Sequence, residues 1–155
     1  MAGKWESREA YVQAPWRELP CIVIDEREKA VSVHDSVLKE NTRVSIYTDG
    51  SGYQGYIGTA MVIPQLRRQL TECIGTEDTS TVYAAEACGI RFALRTLARF
   101  ADDDTRLQKV AIFSDSQAAL RAMLNPKMSS GQVYIRDCIE SYWECVEMGI
   151  DVVLY

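Results

Sequence analysis

At 155 residues, 47% apolar and 25% charged, the chain has the size and make-up of one globular domain able to bury a proper core. No apolar run is long enough to span a bilayer, and Met1-Ala-Gly-Lys-Trp-Glu6 lacks the apolar centre of a signal peptide, so an intracellular protein without a membrane partner is expected. The net charge of -5, from 22 acidic and 17 basic residues, speaks against a broad electrostatic footprint on nucleic acid, but not against a site where bound cations bring the positive charge.

Residues 1–24 read as irregular, with Cys21-Ile-Val-Ile24 a short apolar patch and Trp5, Tyr11 and Trp16 suited to packing. A helix is predicted over Asp25–Leu38, with Ala30, Val33, Val37 and Leu38 on one face. The polar stretch 39–43 reads as a linker, which divides the chain into an N-terminal arm (1–43) and a domain (44–155). The arm holds the single histidine, His34, whose position there suits a structural or exposed role better than a catalytic one.

Val44-Ser-Ile-Tyr-Thr-Asp-Gly-Ser-Gly52 and Tyr56–Ile63 read as two strands joined by a Gly-rich turn, and Gln69–Ile74 as a third, half-exposed strand. Ser80 or Thr81 would cap a long helix to about Phe100. Lys109–Asp115 is a continuous apolar run, as in a strand buried on both faces. Ser116 would cap a helix over Gln117–Leu124, stopped by Asn125-Pro126. Ser129 or Ser130 opens a last helix ended by Gly149, and Ile150–Tyr155 is a final strand. Three strands joined by turns, then strands alternating with helices, imply a mixed sheet flanked by helices. The five cysteines are odd in number and form no C-x-x-C pair, so reduced, mostly buried thiols are expected.

Three carboxylates stand out. Asp49 interrupts a strand-like run, where Asp is disfavoured; taken alone it reads most simply as the start of an Asp-Gly turn. Asp115 follows the buried strand. At about 100° per residue, Ile90, Ala93, Leu94 and Leu97 fall within roughly 80° of Glu86, which places a carboxylate in the middle of a helix's apolar face. Such a group is costly unless paired or bound to metal. Arg91, Arg95 and Arg99 fall on the other side as a solvated stripe. Two strand carboxylates and one helix carboxylate can converge on divalent cations, and an all-oxygen set suits Mg²⁺ or Mn²⁺ better than zinc. Two such ions serve phosphodiester hydrolysis.

Tyr47-Thr-Asp-Gly-Ser51, Ala84-Ala-Glu86 on a helix, and Phe113-Ser-Asp-Ser-Gln-Ala-Ala-Leu120 resemble, in order, the motifs of the type 1 ribonuclease H domain, and more narrowly that of fungal non-LTR retrotransposon reverse transcriptases. The resemblance covers 44–155; the arm is similar to the segment that joins polymerase to ribonuclease H in such polyproteins. It implies a ribonuclease H-like α/β fold with a mixed five-stranded sheet, antiparallel hairpins first and parallel strands after. It also implies hydrolysis of the RNA strand of an RNA–DNA hybrid with two Mg²⁺ or Mn²⁺ ions. Asp49, Glu86 and Asp115 match metal-binding carboxylates, and Gly50, Ser51, Ser116 and Gln117 match positions that contact substrate. The family continues past the last strand into a loop with a histidine and a helix with a fourth carboxylate, neither of which this sequence contains, so one sheet face is expected to lie uncovered. Two other readings compete. One is a catalytically inactive retroelement remnant that binds nucleic acid or protein. The other is a phospho-acceptor domain, which would place a helix, not a second strand, directly after Asp49.

Overall fold

The structure is a computed structural model describing residues 20–40, 42–53, 55–76, 82–101, 105–125 and 132–155. In chain order the elements are helix α1 (Arg27–Glu40), strands β1 (Val44–Tyr53), β2 (Tyr56–Ile63) and β3 (Arg68–Thr76), helix α2 (Val82–Phe100), strand β4 (Lys109–Ser114), helices α3 (Gln117–Leu124) and α4 (Gln132–Glu147), and strand β5 (Asp151–Leu154). They form one five-stranded sheet in the order β3-β2-β1-β4-β5. β1–β2 and β2–β3 pair antiparallel, while β1–β4 and β4–β5 pair parallel. This is the mixed α/β sheet expected from the sequence. The proposed caps Ser80, Thr81, Ser129 and Ser130, and the aromatic residues of the first nineteen, lie outside the described residues.

The alternation of side chains along a strand decides what each face carries. Ile46, Thr48 and Gly50 of β1 are buried, and Gly50 and Thr48 lie against α2. On α2, Ile90, Ala93, Leu94 and Leu97 are fully buried, as the helical period requires. Val110, Ala111 and Ile112 of β4 are fully buried on both faces. α4 adds Ile135, Cys138, Ile139 and Tyr142 to the same core. Each large aliphatic side chain taken out of water here contributes about 1.5–3 kcal/mol. Three cysteines sit on α2 and α4 and are buried; the Cys138 and Cys145 thiols donate to the Ala87 and Leu94 carbonyls at 3.1 and 3.2 Å. Cys21 and Cys73 are exposed, so the expectation of buried thiols holds for three of the five.

Two expectations are corrected. Arg91 does not belong to a solvated stripe: its side chain is only 17% exposed and pairs with Asp137 of α4 at 3.2 Å, whereas Arg95 is 56% exposed. α4 packs along that flank of α2, which the periodicity of α2 alone does not reveal. The second correction concerns the sheet face opposite α2, which is not left bare. The arm joins the sheet at Ile22, which bridges Leu154 in parallel, with Val23 N–H donating to the Leu154 carbonyl at 2.8 Å. α1 then lies over that face, starting two residues later and ending two residues later than the predicted helix. It turns Ala30, Val33 and His34 toward the cavity over the sheet and half-buries Val37, while Leu38, expected on the packed side, is 42% exposed. Arg43 ties the segment before β1 to β5 through Asp151, at 2.7 Å.

Candidate active site

β1 and β4 run side by side in the same direction, and their pairing ends at Thr48 opposite Ser114. Asp49 and Asp115 are the next residues of the two strands, so both follow directly on the end of the β1–β4 ladder. β1 itself does not end at Asp49; it continues to Tyr53, with Asp49 paired to Ala60 of β2. Its carboxylate therefore stands on a strand held from β2 alone, beside the point where β4 turns away. The Asp49 carbonyl accepts the Thr59 hydroxyl at 3.2 Å, which fixes the backbone there. Asp115 follows the last residue of β4, just before the α3 cap. Both aspartates are exposed.

Glu86 comes from the second turn of α2. The helix reaches β1 because position 50 has no side chain: a Cβ there would lie 2.6 Å from the Glu86 nitrogen and 2.7 Å from the Ala85 carbonyl carbon. The Gly50 N–H in turn donates to the Glu86 carboxyl. Glu86 Oε2 is buried and has no hydrogen-bond partner among the described residues. Burial raises the Glu86 pKa above its ordinary value, the Gly50 N–H offsets part of that, and the negative charges of Asp49 and Asp115 raise it further. Glu86 thus senses both aspartates. Yet among the described residues no group of three His, Cys, Asp or Glu is close enough to hold one ion as placed.

A pH dependence follows from Glu86. Its folded pKa is raised, so in the interval above its ordinary value the folded chain holds a proton that the unfolded chain has released. Stability therefore falls as pH rises through that interval. Glu86→Gln is expected to melt higher than the parent at pH 7 without metal, the difference closing below about pH 4. Thermal melts from pH 3 to 8 check this; an equal or lower melting temperature for the variant at pH 7 would contradict it.

The remaining expected site residues are distributed as follows. Ser51 is exposed and Gly50 buried. The Ser116 hydroxyl caps α3, accepting the Ala119 N–H at 3.2 Å. The Gln117 side chain donates to the Asp25 carbonyl of the arm at 3.3 Å and accepts from Arg121 at 3.4 Å. Sequence reading missed the other wall of the site. A cavity of about 820 Å³ runs between α1 and the sheet, bordered by Asp49 and Asp115 at one side and by His34, Tyr47, Phe113 and Tyr155 along its length. No local signal in the arm indicates that it returns to this face.

No protein-family model and no curated protein sequence matches the chain. Solved structures do. The chain is similar to LC11-RNase H1, isolated from compost by a metagenomic approach, with a TM-score of 0.53 and 22% identity over 74% of this chain and 83% of that one. It is similar to the same protein in complex with an RNA/DNA hybrid, with a TM-score of 0.52 and 19% identity over 73% of this chain and 83% of that one. It is similar to RNase H1 of the halophilic archaeon Halobacterium salinarum NRC-1, with a TM-score of 0.50 and 18% identity over 73% and 83%. The fold is ribonuclease H-like.

Proposed function

We propose that the chain is a divalent-metal-dependent endonuclease that cleaves the RNA strand of RNA–DNA hybrids. The observation that carries this reading is the parallel pairing of β1 and β4, which brings Asp49 and Asp115 to the end of one ladder within electrostatic reach of Glu86. A similar fold in complex with a hybrid supports the substrate class. The donor chemistry suits Mg²⁺ or Mn²⁺: three carboxylates, one with a buried oxygen lacking a partner among the described residues, form a site short of positive charge. Asp49, Glu86 and Asp115 would hold the ions. When bound, two such ions activate water and stabilise the departing oxygen in phosphodiester hydrolysis. The chain's own part is to fix the carboxylates on strands and helix, to keep Glu86 oriented through Gly50, and to offer Ser51 and the start of α3 to the backbone of the hybrid. Contacts near the 2′-hydroxyl would select RNA. The narrower motif resemblance supports reading the domain as part of a retrotransposon reverse transcriptase polyprotein.

A second reading, a domain that binds nucleic acid or protein without cleaving, draws on the spacing of the carboxylates, which as placed do not share one ion. Cleavage of a labelled RNA–DNA hybrid in Mg²⁺ and in Mn²⁺, beside single-stranded RNA, duplex RNA and duplex DNA, separates the two. Hybrid-specific cleavage, faster in Mn²⁺ because that ion is less demanding of geometry, is the expected result. Hybrid binding without cleavage in either metal would establish the second reading instead.

A further inference from the structure

The single histidine of the chain borders the same cavity as both aspartates. Tyr47 and Phe113 are register partners on β1 and β4, each two residues before one of the carboxylates, Asp49 and Asp115. Their rings stack at 5.2 Å between centroids and 18° between planes, and Phe113 stacks in turn on Tyr155 at 5.1 Å. His34 reaches down from α1 onto the first two. Its ring meets the Phe113 ring edge-on at 4.8 Å and the Tyr47 ring at 5.6 Å, and its Nε2 shares a 2.6 Å hydrogen bond with the Tyr47 hydroxyl. Nδ1 faces Asp35 at 3.4 Å. With Nδ1–H turned to that carboxylate, Nε2 accepts the Tyr47 O–H. The rest of α1 is thinly packed: Val31 and Leu38 are 55% and 42% exposed, and the cavity remains open beneath the helix. His34 is therefore its chief polar attachment to this face among the described residues.

We propose that His34 is a positioning residue for the carboxylate pair: bridging Tyr47 and Phe113, it fixes the separation of the strand ends from which Asp49 and Asp115 project. Beyond Thr48 and Ser114 the β1–β4 pairing stops: Asp49 is held from β2 and Asp115 by the turn into α3, so side chains on the last paired residues add to what joins the two strands there, the Thr48 hydroxyl donating to the Phe113 carbonyl at 3.3 Å among them. The stacked rings and His34 supply that brace from the face on which the aspartates border the cavity. This assignment rests on the nuclease reading for its effect on rate, but not for its effect on geometry.

The test uses the full chain and three variants. His34→Ala is expected to lower hybrid cleavage (kcat) by about 10–100-fold, the range for losing a partner that orients a metal ligand, with the KM for hybrid unchanged. His34→Gln, whose amide can still bond the Tyr47 hydroxyl, should recover part of that loss. Tyr47→Phe keeps the stacked rings and removes only the hydrogen bond, so it answers the question should His34→Ala fold poorly; a fall in kcat smaller than for His34→Ala is expected. Mn²⁺ affinity, read by calorimetry without nucleic acid, should weaken in the same order. Crystal structures of parent and His34→Ala should show the Asp49 and Asp115 carboxyl groups at different separations. If those separations superimpose, or if kcat and Mn²⁺ affinity stay at parent values while only the melting temperature falls, His34 is packing alone and the proposal is wrong. If the parent binds hybrid without cleaving it but the carboxylate separation changes as expected, the nuclease reading fails and the positioning role stands.

Discussion

Asp49→Asn is expected to bring hybrid cleavage down to the background of the assay in both Mg²⁺ and Mn²⁺. The substitution preserves shape and removes one negative charge and one strong ligand from a site with three carboxylates. The loss should exceed the roughly 10–100-fold typical of an outer partner, because in the proposed site the group itself would face the ion. The fold should not suffer. Asp49 is exposed, its carbonyl keeps the Thr59 hydrogen bond, and no side-chain ion pair is lost with it among those described. Without metal the variant should melt at or slightly above the parent temperature, since one of the charges that raise the Glu86 pKa is gone. Parallel cleavage and melting curves check both halves. Residual cleavage within tenfold of the parent would remove Asp49 from the metal site.

The second large effect is expected from Gly50→Ala. Most glycine-to-alanine changes in strands are mild or favourable, but here the added methyl group meets backbone. The Glu86 nitrogen at 2.6 Å, the Ala85 carbonyl carbon at 2.7 Å and the Ala85 Cβ at 2.9 Å cannot swing aside as a side-chain tip would. The helix must retreat from the strand. Overpacking of this kind costs about 1–3 kcal/mol. Retreat also stretches the Gly50 N–H bond to Glu86, so the variant should lose Mn²⁺ affinity as well as stability. Gly89→Ala is the contrasting case on the same helix, because its tightest neighbour is the Thr59 hydroxyl at 2.6 Å, which can rotate, although rotation gives up its bond to the Asp49 carbonyl. Chemical denaturation of both variants would show the larger loss at position 50. A Gly50→Ala protein as stable as the parent would mean that α2 and β1 do not approach as closely as described.

The elements that carry the candidate site are legible where they are written in local pattern. Val110–Phe113 is an apolar run because its strand is covered on both faces, and Ile90, Ala93, Leu94 and Leu97 keep the helical period around Glu86 because they form the stripe of α2 that is fully buried in the core. Strand direction was also legible: an intervening helix between β1's hairpin and β4 favours a parallel return. What was not legible depends on elements distant in the chain. Nothing near Arg91 indicates that Asp137 will meet it, since the pairing comes from α4 docking on the flank of α2. Nothing in Cys21–Ile24 indicates a bridge to Leu154 at the far end of the sequence. His34 looked incidental because its partners Tyr47 and Phe113 become neighbours of one another only when β1 and β4 pair. The exposure of Ala30 and Leu38 was not legible either: Ala30 faces an open cavity beneath α1 rather than a packed sheet, and Leu38 is left exposed.

The distribution of thiols makes the chain its own reporter of opening. Cys21 and Cys73 are exposed and within direct reach of a neutral alkylating reagent. Cys88, Cys138 and Cys145 are enclosed between α2 and α4, with burial pushing their pKa values up, that of Cys145 to about 12. A protonated, enclosed thiol does not react until the helices part. Mass spectrometry of timed alkylation would therefore give two quick modifications and three delayed ones. The delay counts how often α4 lifts from α2, in the native protein and without denaturant.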